Sequence, residues 1–200
     1  MQAMEITYFG KQFFKIQQGE MVLAFNPISK NSKAHAGVHF GADIALVTTN
    51  SPDYNGVEQL SHGERAPFAI TGPGDYEVKE IFIKGVMSAG PEKYINTIYS
   101  LSVDNINIAF LGALSGADVS KEAHEAIDNP DLLFISVKTS AKLASALEPK
   151  MIIPMDYDDA SLKSFLKELG EEKAEVVDKL TLKRKDLEGK EGEVVVLKAS

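Results

Sequence analysis

Apolar and polar positions alternate with a period near two from the start of the chain. Ile6 and Tyr8 mark a first strand, and Phe13, Lys15 and Gln17 continue the alternation into a second. Residues 21–25 form a third apolar run, closed by Asn26-Pro27, and Gly19 lies where a hairpin would turn. Residues 31–40 are polar and contain glycine, so a loop is expected. Residues 43–48 (DIALVT) are continuously apolar, the pattern of a strand buried on both faces. Residues 49–56 then break the pattern with Asn, Ser, Pro, Asp and Gly, giving a loop at a strand end, where sites are often built.

Strands follow over 68–71, 77–86 and 97–103, with a turn at Gly72-Pro73-Gly74-Asp75. Residues 107–111 pair with 97–103 across Asp104-Asn105. Beyond residue 115 the period lengthens. Helices are predicted over 120–127, 141–147 and 160–169, the last ended by Gly170, with buried strands over 132–137 and 151–154. Residues 180–183 and 193–197 read as two terminal strands across a charged, glycine-containing turn. The tracts 171–175 and 179–193 read as solvated surface. A β-rich first half thus precedes an alternating α/β second half, without a repeat, and the halves suggest two layers of one sandwich.

Composition narrows the chemistry. Two hundred residues suffice for a real core, and residues 1–200 are read as a single domain. Lys and Arg number 21 against 29 Asp and Glu, a formal charge of −8, which argues against a nonspecific nucleic-acid or anionic-membrane binder. Cys is absent, which removes disulfides, thiolate nucleophiles, iron–sulfur clusters and Cys-based zinc sites. The opening residues lack a basic start followed by an apolar run, and the apolar stretches are too short for a bilayer. A cytoplasmic protein without a membrane partner is expected. Four His are a small stock for a metalloenzyme.

Five segments in order carry a family resemblance. They are 4–14 (MEITYFGKQFF), 43–56 (DIALVTTNSPDYNG), 72–78 (GPGDYEV), 96–114 (NTIYSLSVDNINIAFLGAL) and 149–157 (PKMIIPMDY). Together they resemble the metallo-β-lactamase fold over roughly residues 4–197, in the branch of zinc-dependent hydrolases similar to L-ascorbate-6-phosphate lactonase. The resemblance implies an α+β fold, an αββα sandwich of two packed mixed β-sheets flanked by helices. It also implies zinc at one rim, where a divalent cation activates water and polarises the scissile group.

The family's His-x-His-x-Asp-His loop falls on residues 49–54. There Thr49, Ser51 and Tyr54 stand where imidazoles are expected, and Asp53 alone keeps its type. The family's bridging Asp falls on Ala113, its last His on Asp156, and the early His of this branch on Lys11. Neutral hydroxyls are poor zinc ligands beside His or carboxylate, so no zinc is expected. Asp53 and Asp156 would at most hold magnesium or manganese weakly. His35, His39, His62 and His124 fall on none of these positions. The i, i+4 pair His35 and His39 has no helix around it and no third ligand. Either Lys11 places its ammonium in the vestigial cavity and neutralises both Asp53 and Asp156, because unpaired buried carboxylates are costly, or it extends to solvent and the two acids are simply exposed.

Ser51 has no His placed as its base, so nucleophilic chemistry is not expected there. Gly72 to Gly74 lack the Lys and helix of a phosphate loop. Asp75, Tyr76 and Glu77 are rim-lining candidates, and Asn26 is read as structural. The favoured reading is a non-catalytic member of the fold that binds a small molecule or a protein. The alternative is a metal-dependent hydrolase of a lactone or phosphoester with an altered site using Asp53 and Asp156. The sheets also permit a homo-oligomer.

Overall fold

The computed structural model describes residues 2–34 and 38–200, so His35 lies outside the described residues. Its strands follow the period-two burial that their sequences dictate. In β1 (Met4–Tyr8), Met4, Ile6 and Tyr8 are buried and Glu5 and Thr7 are half-buried. β2 (Phe14–Gln18) and β3 (Met21–Phe25) continue as a meander, with Gly19 left-handed at the turn. β4 (Ile44–Leu46) and β5 (Phe68–Ile70) add to β3 in parallel. A last short strand, β13 (Leu180–Leu182), pairs antiparallel with β1 and completes a six-stranded sheet in the order β13-β1-β2-β3-β4-β5.

The second sheet has eight strands. Its antiparallel part is β6 (Gly74–Val78), β7 (Ile81–Ala89), β8 (Ile95–Val103) and β9 (Ile106–Phe110). Its parallel part is β10 (Leu132–Ser136), β11 (Met151–Met155), β14 (Glu193–Leu197) and β12 (Glu175–Val177). The order is β12-β14-β11-β10-β9-β8-β7-β6.

The two sheets share an apolar interior. Phe25 stacks on Phe110 at 4.7 Å between ring centroids, and Phe14 meets the edge of Phe134 at 4.9 Å. Helices α1 (Lys121–Ile127), α2 (Ala141–Ala146) and α3 (Asp159–Leu169) cover the outer face of the eight-stranded sheet through Ala123, Ile127, Leu143 and Phe165. The outer face of the six-stranded sheet is covered by the 3-10 turn Val57–Gln59 and the loop after β3, with Phe13, Val22, Ala45 and Leu60 packed beneath. This is the α+β sandwich of two mixed sheets expected of a metallo-β-lactamase-like chain.

Three local expectations are corrected. The expected strand over 77–86 gives way to β6 and β7, because the chain reverses at Lys79-Glu80 in addition to the bend at Gly72-Pro73, where it passes from one sheet to the other. Both Lys79 and Glu80 have positive φ, 50° and 65°, as a tight two-residue hairpin requires. The terminal strands do not form a hairpin, because β13 lies in one sheet and β14 in the other. The run 179–193 is not only solvated surface: it holds β13, and its Arg184 reaches the buried carboxylate of Asp131.

Candidate functional site

Strands β4, β9, β10 and β11 all end toward one rim of the sandwich, and the loops leaving them make the site. The two sheets are tied there: Thr97 N–H donates to the Thr48 carbonyl at 2.8 Å, and the Tyr99 hydroxyl donates to the Val47 carbonyl at 2.9 Å. Beneath the rim lies a buried polar network. The Asn26 amide donates to Gln12 Oε1 and to Thr48 Oγ1, each at 2.9 Å, and its Oδ1 accepts from Thr48 N–H at 2.8 Å. Asn96 donates to the Leu111 carbonyl at 2.9 Å and accepts from Ala113 N–H at 2.8 Å. Asn26 is thereby structural, as read from its place after the third strand.

Lys11 and Asp53 come together: Lys11 Nζ lies 3.3 Å from Asp53 Oδ2, and each side chain is about one-third exposed. The other Asp53 oxygen accepts from the Ser32 hydroxyl. Asp156 does not share this cation, which corrects the reading in which Lys11 serves both acids. Lys138 Nζ instead sits 2.8 Å from Asp156 Oδ2. Lys11 meets Asp156 through the main chain, where Asp156 N–H donates to the Lys11 carbonyl at 2.6 Å. The Tyr8 hydroxyl donates to that same carbonyl at 2.8 Å and accepts from Asp156 N–H at 3.2 Å.

Burial, and then the negative charges of Asp156 and Asp53, push the Tyr54 hydroxyl well above its ordinary range. Burial does the same to Tyr8, and the hydrogen bond from Asp156 opposes it only in part. Both phenols are thereby held in the protonated form, and that of Tyr8 is a hydrogen-bonding group between the Lys11 carbonyl and Asp156 N–H. Thr49 is buried and donates its hydroxyl to the Ile95 carbonyl. Ser51 closes the turn that leads to Tyr54, its carbonyl accepting from Tyr54 N–H at 2.8 Å. Ala113 is buried and offers no side-chain donor atom.

These side chains do not make a zinc donor set. The Thr49 hydroxyl proton is committed to a carbonyl, both Asp53 oxygens are engaged, and Asp156 faces an ammonium. Among the described residues no three of His, Cys, Asp or Glu converge on a point. His39 and His62 are exposed on loops, and His124 Nε2 lies 3.3 Å from Asp118 on the surface of α1. Asp75, Tyr76 and Glu77 do not line the rim: they lie in β6, which pairs with the first half of β7, whereas the rim end of β7 is Met87 to Ala89.

Sequence reasoning missed Ser32, Lys138 and Tyr8. Lys138 follows β10 as Asp156 follows β11, and Ser136 is in register with Met155, so the two meet once the strands are neighbours. The strand order that brings them together is not written in either segment. Tyr8 stood in the strand pattern, but its alternation accounts only for burial.

The family model of the β-lactamase superfamily domain matches residues 5–156. Solved structures share the fold. A Thermotoga maritima protein of the metallo-β-lactamase superfamily, described as a candidate zinc-dependent hydrolase, superposes with TM-score 0.75 at 24% identity, covering 97% of this chain and 98% of that one. Igni18, a metallo hydrolase from Ignicoccus hospitalis, gives TM-score 0.61 at 14% identity, covering 90% and 99%. An isothiocyanate hydrolase from Delia radicum gut bacteria gives 0.63 at 9% identity, covering 98% and 97%. No curated protein matches the chain. The sandwich, its rim and a family match across more than half of the chain agree, and the chain belongs to the β-lactamase superfamily domain family.

Proposed function

We propose that this chain is a single-domain, non-catalytic member of the metallo-β-lactamase fold that uses its rim to bind a ligand. One observation carries the reading: the two rim carboxylates are neutralised by the protein's own ammonium groups, Asp53 by Lys11 and Asp156 by Lys138. Binding a divalent cation would have to displace both lysines and then manage without an imidazole. The hydrolases of similar fold supply a precedent for the architecture and do not fix the chemistry.

Elemental analysis of protein dialysed against metal-free buffer tests this. The expected content is well below about 0.1 zinc per chain, since the site lacks the donors of tight zinc binding. Stoichiometric zinc or manganese, with a hydrolase activity abolished by Asp53→Ala, would establish the altered metal-dependent hydrolase instead.

A further inference from the structure

Beside the Lys11–Asp53 pair the rim opens into a hollow of about 530 Å³, whose lining includes Lys11, Asn31, Ser32, Lys33, Ser51 and Asp53. Its acceptors are largely spent. Asp53 takes the Ser32 hydroxyl on one oxygen and the Lys11 ammonium on the other, and Ser32 Oγ itself accepts from Ala34 N–H at 2.9 Å. Its donors are not spent. An ammonium carries three protons, and Asp53 occupies one direction on Lys11. Lys33 is exposed and makes no ion pair among the described residues, and Asn31 and Ser51 add an amide and a hydroxyl. Lys138 holds Asp156, so that acid does not compete for Lys11.

The geometry points to this hollow as a binding site for a small monocarboxylate, gripped between Lys11 and Lys33. The assignment rests on the ligand-binding reading of the rim and names its ligand class. Two ammonium groups against one carboxylate leave a single positive charge in excess, on a chain whose net charge is −8. One carboxylate balances that excess, whereas a dianion such as phosphate overshoots it and meets the repulsion of Asp53 and of the whole chain. A larger hollow, about 800 Å³, lies at the opposite rim and includes Lys150 and Lys190. Those lysines are already paired with Asp131 and Glu193, so it has no comparable excess.

Backbone amide NMR of the whole chain, titrated with sodium lactate and with sodium chloride at matched ionic strength, tests the assignment. Saturable shifts are expected at residues 31–34, 51 and 53 with lactate and not with chloride. Lys33→Gln should weaken lactate binding by about tenfold, the loss of one charge-assisted contact. Lys30→Gln, a neighbouring lysine outside the lining, should leave it unchanged. Equal shifts with chloride, equal loss in both variants, undiminished binding by Lys33→Gln, or tighter binding of inorganic phosphate would each overturn the proposal. Zinc content of the same sample separates the two claims. Stoichiometric zinc removes the non-catalytic reading, and a zinc-free protein without lactate binding removes only the carboxylate site.

Discussion

Four loops reach the rim through residues in the left-handed region of backbone space. Lys11, Asn26, Gly112 and Asp156 have φ of 53°, 45°, 62° and 56°. For an L-residue with a side chain this conformation costs about 1–2 kcal/mol, so three of the four positions hold local strain against the packing around them. Gly112 shows what the fourth position demands. A Cβ there would stand 2.5 Å from Thr48 Oγ1 and 2.6 Å from Asn96 Oδ1, the two groups that carry the polar network under the site. Gly112→Ala is expected to cost about 2–4 kcal/mol in urea denaturation, from backbone strain and a broken buried network. A loss under about 0.5 kcal/mol would mean that the network tolerates displacement. At this scale the site was partly legible. Asp53, Asp156 and Lys11 could be singled out because a resemblance gave their positions an expected residue type. Ser32 and Lys138 have no such reference, and their pairings span 21 and 18 residues of chain.

Turns and caps decide how far the elements can be read. Met21–Phe25 stands as its apolar run predicts, and α3 ends at Gly170 in the left-handed conformation, φ 76°. α3 also begins on a reciprocal cap, with Asp158 accepting from Ser161 N–H and the Ser161 hydroxyl accepting from Asp158 N–H. The β8–β9 hairpin turns at Asp104-Asn105, both with positive φ, which is the turn type their sequence favours. Asn105→Gly is expected to stabilise by about 0.5–1 kcal/mol, since Gly adopts that conformation without strain. An unchanged denaturation midpoint would show that the turn carries no strain to relieve. The β6–β7 turn was missed for a physical reason. Lys79 and Glu80 are poor turn formers by composition, whereas Gly72 to Asp75 look like strong ones. Lys79 is held there by its ammonium, 2.6 Å from Asp43 Oδ1, a contact that only tertiary structure supplies. β12 escaped notice because Glu175-Val176-Val177 is too short to alternate and sits among charges.

Across the whole molecule, the rim opposite the site is fastened by two buried carboxylates. Asp43 binds Arg65, Lys79 and Val22 N–H, and Asp131 binds Lys150, Arg184 and Asn107 N–H. Burial acts to raise both carboxyl groups, but the hydrogen bonds and cations outweigh it and hold both below the ordinary carboxylate range. Folding thus lowers these two pKa values. Their contribution is complete above the unfolded value, near about 4, and is lost as the pH falls through the folded values. Asp131→Asn should cost about 2–3 kcal/mol at pH 7, less than a fully buried break because its cations are about one-third exposed. In urea titrations the gap between parent and variant should begin to narrow as the pH falls below about 4 and vanish once it has passed the lowered folded value. A gap that persists there would assign the loss to shape rather than charge. The strand order has a consequence for synthesis. The six-stranded sheet gains its edge only with residues 180–182, and β14, at 193–197, lies inside the other sheet between β12 and β11. A ribosome must therefore deliver nearly the whole chain before either layer is complete. The apolar strands made first wait, exposed, for partners made last, which leaves the nascent chain open to aggregation until residue 197 has emerged.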